Sequence, residues 1–168
     1  MIGLRIPADL YARIEADLDR PHAFASERVG FLLTRPDECN APISIILALD
    51  YWPVPDNDYV KDYSVGARIG SQAIRSAMQK SLDGNSGAIH VHKHHCYGKP
   101  NYSDDDWDGW NRLLPSFRTF LPKLSHGVLV LSLGSAAGLI WRDGRKKPLA
   151  LDKISIVGFP IRIFNHEK

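Results

Sequence analysis

AIHVHKHHCYGKPNYSDDDWDGW, Ala88 to Trp110, holds four of the seven histidines of the chain, one of its two cysteines and a run of three aspartates. Its first residues alternate: as a strand, Ala88-Ile89-His90-Val91-His92-Lys93 sends Ile89 and Val91 to one face and His90 and His92 to the other. Two imidazoles two residues apart on one strand face can point at the same ion. Lys93 interrupts the apolar pattern, so the strand is expected to end near His92, which favours the pair His90/His92 over His92/His94 or His94/His95. Hydrogen-bonded, partly exposed histidines are the plainer alternative. A pair leaving an apolar strand for a polar loop points instead to a metal site.

Ser103-Asp104-Asp105-Asp106 reads as a helix start, with Ser103 as N-cap and Asp106 in the capping-box position. Acids in a first turn also meet the helix dipole favourably. Capping does not prevent Asp106 from turning to an ion. Two histidines and one carboxylate leave a fourth tetrahedral place for water, the arrangement of catalytic rather than structural zinc. Hydrolysis then needs a base. Glu15 lies in a helix, Glu38 in a turn and Glu167 at the tail, whereas Glu27 stands at the entrance of a buried strand.

Upstream, Gly3 to Ile6 reads as a strand, and Leu10, Tyr11, Ile14 and Leu18 give an amphipathic helix after Pro7. Arg28 to Thr34 is a strand buried on both sides, Pro36 to Asn40 a turn, and Ile43 to Leu49 a second strand pairing with the first. Tyr51 to Tyr63, with two prolines and four aromatic residues, reads as an irregular excursion. From about Val65 to Leu82, the residues Ile69, Ala73, Ile74, Ala77 and Met78 mark a helix, stopped at Asp83-Gly84-Asn85.

Downstream, Trp107, Trp110, Leu113, Leu114 and Phe117 give a helical face that Pro115 is expected to break or kink. Gly127 to Leu133, Gly138 to Trp141, Leu149 to Val157 and Ile161 to Phe164 are strands, with turns at Gly134-Ser135 and Asp143-Gly144. The order predicts one domain over residues 1–168, an α/β mixed sheet flanked by helices.

Composition agrees with a globular domain: 44% apolar and 24% charged residues, with a net charge of +2. That charge is too small to imply nucleic acid, and Arg145-Lys146-Lys147 reads as a solvated hairpin tip. Cys39 and Cys96 give no disulfide framework, so a reducing, cytoplasmic setting is expected. Neither a signal peptide nor a membrane span is legible.

Glu27 opening the glycine-containing strand Arg28-Val29-Gly30-Phe31-Leu32-Leu33, then a helix, then His90-Val91-His92 ending a strand, then Ser103 to Asp106 opening a helix, resembles the JAMM (MPN, or JAB-domain) metalloproteases. The resemblance covers nearly the whole chain and looks closest to bacterial stand-alone members, including those accompanying antiphage ubiquitin-like conjugation systems. It implies the JAB/MPN fold of the cytidine-deaminase-like kind. It further implies one zinc per chain held by His90, His92 and Asp106, Glu27 as general base and then proton donor, and Ser103 stabilising the oxyanion. The implied reaction is hydrolysis of the isopeptide or peptide bond after the tail of a ubiquitin-like protein, with that protein or its conjugate, and other components of a conjugation system, as partners.

Two departures stand out. Val91 and Lys93 replace the Ser or Thr and the Pro usual in the family, and ten residues separate His92 from Ser103 where seven are usual. A substrate tail could add to a strand edge near the zinc, with Tyr51 to Tyr63 and His94 to Tyr102 as groove walls. The alternative function is a non-catalytic MPN-type binding or scaffold domain, which typically lacks a ligand. A nucleobase deaminase would need His-x-Glu and Pro-Cys-x-x-Cys, and neither is present.

Overall fold

Ile2, Leu4 and Ile6 turn inward from the first strand, β1 (Ile2–Pro7), and Pro7 leads directly into helix α1 (Ala8–Leu18), which buries Leu10, Tyr11, Ile14 and Leu18. The computed structural model describes residues 1–36, 44–142 and 145–165. Strands β2 (Val29–Pro36) and β3 (Ser44–Pro53) follow, then a single 3-10 turn at Asp56–Asp58 and helix α2 (Ser71–Asp83). Strand β4 (Gly87–Tyr97) and helix α3 (Asp104–Phe120) carry the histidine and aspartate stretch. Strands β5 (His126–Leu133), β6 (Ser135–Trp141), β7 (Leu149–Ala150), β8 (Lys153–Val157) and β9 (Arg162–Asn165) complete the described chain.

All these strands join one sheet in the order β7-β6-β5-β4-β2-β3-β1-β8-β9. It is mixed: β1 runs parallel to β3 and β8, β4 runs parallel to β5, and the other pairs are antiparallel. Helix α1 covers one face, where Ile89, Val91, Leu129 and Ile140 share a core with Leu4, Ile14 and Ile154, so the sheet curls to bring its two halves together. On the other face α2 and α3 close over Val29, Phe31 and Ala88. The expected α/β class, with a mixed sheet flanked by helices, is what forms.

Four expectations are corrected. Strand β4 does not end near His92 but continues to Tyr97. Lys93 does not break it, because the buried ammonium reaches through the α1 face to both oxygens of Asp19 at 2.8 Å. Tyr51 to Pro53 extend β3 rather than open an excursion, and the buried Tyr51 hydroxyl donates to Asp17 at 2.7 Å. Helix α2 begins at Ser71, since Ile69 is held in an isolated bridge to Tyr59. Helix α3 runs unbroken through Pro115, which sits on its exposed face, as does Asn111, the residue whose carbonyl loses its partner and can turn to water.

The β2–β3 pairing, the α1 stripe and the Gly134 turn, at φ +86°, form as expected. Cys39 and the turn read over Asp37 to Asn40, Ile43, and Asp143-Gly144 lie outside the described residues.

His126, fully buried at the head of β5, ties three elements. Its Nδ1 accepts from the Ala88 amide at 3.2 Å, which leaves Nε2 to donate to the Leu121 carbonyl at 3.0 Å. Only the neutral ring makes both bonds. Burial pushes its pKa below 6.5, against the opposing pull of the Leu121 carbonyl. The unfolded chain therefore takes up a proton first as pH falls. Stability attributable to His126 is complete above about pH 6.5 and declines below it, by at most about 2 kcal/mol at pH 5. Urea unfolding at pH 7.5 and pH 5 should show this loss in the wild type and a smaller loss in His126→Asn.

Candidate metal centre

The parity of β4 separates two kinds of chemistry. Ile89, Val91 and Lys93 face α1, while His90, His92 and His94 face the side covered by α2 and α3. Antiparallel pairing with β2 sets Val29 opposite His92 and Phe31 opposite His90. Carried two residues further, the same register puts Glu27 across from His94.

Glu27, His92 and His94 each offer one ligand atom, and these atoms all lie within 4.8 Å of one another. They are close enough to hold a metal ion. The Nε2 atoms of His92 and His94 are 3.0 Å apart, and His94 Nε2 lies 3.9 Å from a Glu27 oxygen. Asp106 joins from α3, with Oδ1 3.0 Å from His92 Nε2 and Oδ2 3.6 Å from His94 Nε2. Two imidazole nitrogens at such a distance can share one proton or a common cation. The edge of a tetrahedron with zinc-like arms of 2.0–2.1 Å is about 3.4 Å; the His92–His94 and His92–Asp106 Oδ1 separations, both 3.0 Å, lie somewhat below it, and the other Asp106 oxygen lies 3.6 Å from His94.

The Ser103 cap expected from sequence is present in full. Ser103 Oγ accepts from the Asp106 amide at 3.1 Å, and Asp106 Oδ2 accepts from the Ser103 amide and hydroxyl, both at 2.8 Å. Helix formation thus fixes Oδ2 and leaves Oδ1 toward His92. Partial burial opposes ionisation of Asp106, but hydrogen bonding from His92 and Ser103 outweighs it and holds the carboxyl far below the ordinary carboxylate range. Ser103 itself is exposed, and its single hydroxyl proton is committed to Asp106.

His90 stands apart from this group. Its ring meets Phe31 edge-on at 5.6 Å, and its centroid is 5.7 Å from that of His92. Burial, reinforced by His92, pushes its pKa down to about 3, so the ring stays neutral. The expected pair was His90 and His92; the pair whose nitrogens meet is His92 and His94. The signal for His94 was present as the continued alternation 90, 92, 94. It was masked by the charge of Lys93, whose partners Asp19 and Glu15 lie on a distant segment.

The cluster opens into a cleft of about 580 Å³, with Val65 to Ile69 on one side and Ser103 to Leu113 on the other. Of the anticipated walls, Asp62 from the end of the 51–63 segment and His94 from the start of the 94–102 segment line it. Tyr51 is core, and Tyr59 is bonded to the Val29 amide at 2.8 Å. The loop after β4 is shorter than expected, Gly98 to Tyr102, and Tyr102 packs on Trp107 and Trp110.

Compared with known proteins, the sequence matches no family model and no curated protein. Among the described residues no helix is long and apolar enough to cross a membrane.

Zinc affinity, measured by competition with a chromophoric chelator, should fall about 100-fold or more in His94→Ala, at or beyond the upper end of the 10–100-fold usual for a supporting residue. His90→Ala should lose less. The reverse order would return the ligand role to His90.

Proposed function

We propose that this chain is a zinc-dependent hydrolase of the JAMM type, cleaving the isopeptide or peptide bond that follows the C-terminal tail of a ubiquitin-like protein. The observation that carries the reading is the grouping of Glu27, His92 and His94 within 4.8 Å of one another, with Asp106 3.0 Å from His92, along an open cleft. His92, His94 and Asp106 would hold the ion, with His94 replacing His90 in the ligand set implied by the resemblance. Counted from His94, the spacer to Ser103 is eight residues, His95 to Tyr102, nearer the seven usual in that family.

A divalent ion held there would supply Lewis acidity, polarising a scissile carbonyl and bringing the pKa of water toward neutrality. The remaining work falls to the chain. His92 and His94 must present unprotonated Nε2 atoms, and Asp106 stays ionised under its cap. Glu27 Oε1, 3.9 Å from His94 Nε2, is the most distant of the four donors. That place suits a base receiving a proton from attacking water and returning it to the leaving amine. Ser103 supports this arrangement by holding Asp106; a direct hydrogen bond to the oxyanion requires its hydroxyl to turn away from that carboxylate.

An extended substrate tail fits an open cleft bounded by a strand end. Cys96 is free and exposed, compatible with the reducing cytoplasm in which a conjugation system would operate. A non-catalytic binding domain is the competing function, and one substitution separates the two. Glu27→Gln should retain stoichiometric zinc, by metal analysis, while cleavage of a ubiquitin-like fusion falls about 100-fold or more. Equal cleavage by both proteins would remove Glu27 as the base, and absence of cleavage by the wild type across ubiquitin-like fusions would favour the binding domain.

A further inference from the structure

We propose that Gly66 is a positioning residue for the Glu27 carboxylate, acting through its carbonyl and through the side chain it lacks; the inference rests on the reading of Glu27 as base. The Gly66 carbonyl accepts from the amides of Ser26 and Glu27, each at 3.0 Å, and from the Ser26 hydroxyl at 3.3 Å. These bonds fix the backbone from which Glu27 projects. A Cβ at residue 66 would stand 2.6 Å from Glu27 Oε2 and 2.7 Å from its Cδ. The carboxylate therefore occupies the volume that any other residue would fill with its own first carbon. Since the Gly66 backbone is not left-handed, what the position demands is space rather than conformational freedom.

The shelf that carries Gly66 is itself held. Val60 donates to the Arg68 carbonyl at 2.8 Å, Gly70 to the Asp58 carbonyl at 2.7 Å, and Arg68 pairs with Asp62 at 2.7 Å. Tyr59, at the root of the segment, receives the Val29 amide. The entrance of β2 is thus gripped on both sides of Glu27, so a methyl group at residue 66 would be met by a swing of the carboxylate itself, away from the place it holds beside His94. A base displaced by about 1 Å can cost 100-fold in rate.

The test is a double-mutant cycle between residues 66 and 27. Gly66→Ala should lower kcat about 10- to 100-fold with KM changed less than about 3-fold and zinc content unchanged. In a Glu27→Asp background, where the carboxylate is withdrawn by one methylene, the same Gly66→Ala change should cost less than about 3-fold. Thermal unfolding should follow the same pattern, with a lower midpoint for Gly66→Ala that Glu27→Asp relieves. Equal effects of Gly66→Ala in both backgrounds, in rate and in melting, would overturn the inference. If Glu27→Gln cleaves as fast as wild type, the base reading fails instead, and the melting cycle alone decides whether Gly66 positions the carboxylate.

Discussion

The antiparallel register between β2 and β4 is the constraint on which the rest depends. Because residue 29 lies opposite residue 92, the side chain two places before β2 comes to rest beside the one two places further along β4. Residues far apart in sequence, Glu27 and His94, meet without either being drawn there by the other. Neighbouring elements reinforce this register. Phe31 and Ala88 pack under α2 and α3, Leu32 and Ile89 pack under α1, and His126 pins the start of β4 to the end of α3. A slip of one residue would send each set to the face built for the other.

Buried ions serve as fasteners around this register. Lys93 joins β4 to the C-terminal end of α1, and Arg28 joins the entrance of β2 to the 3-10 turn through Asp56, with the carbonyls of Arg20 and Pro21 taking further guanidinium hydrogens. Both cations sit next to cluster residues in sequence, and both point away from the cluster. Such pairs add little net energy, but the loss of one partner strands a buried charge, so they reject alternative packings strongly. Asp106 shows the same economy at smaller scale. One oxygen completes a helix cap and the other faces His92, so folding α3 also orients the carboxylate.

Much of this was legible in the sequence because it is written locally. Periodicity identified α1, α3 and most strands, and Ser103 to Asp106 announced the cap that forms. Glu27, His92 and Asp106, which sequence singles out, lie near one another. What local pattern could not supply was the partner of Lys93. A lysine in an apolar run ends a strand unless a carboxylate meets it, and Asp19 comes from the end of α1, on the other side of the sheet. That one long-range pair carries β4 five residues further, from His92 to Tyr97, and brings His94 beside His92. Tyr51 is hidden from local pattern in the same way, since its partner Asp17 is also remote in sequence.

The alternation of β4 also governs where this chain can change length. One residue inserted between Ala88 and His94 would carry every later side chain through the sheet to the opposite face. An ammonium would then sit among the imidazoles, and an imidazole would sit against the acids of α1. The same insertion between Gly98 and Tyr102 would disturb neither, because the histidines of β4 already stand in place and the Ser103 cap assembles from its own four residues. Natural length variation should therefore collect in that loop, leaving the strand before it rigidly counted while the approach to the cleft is remodelled.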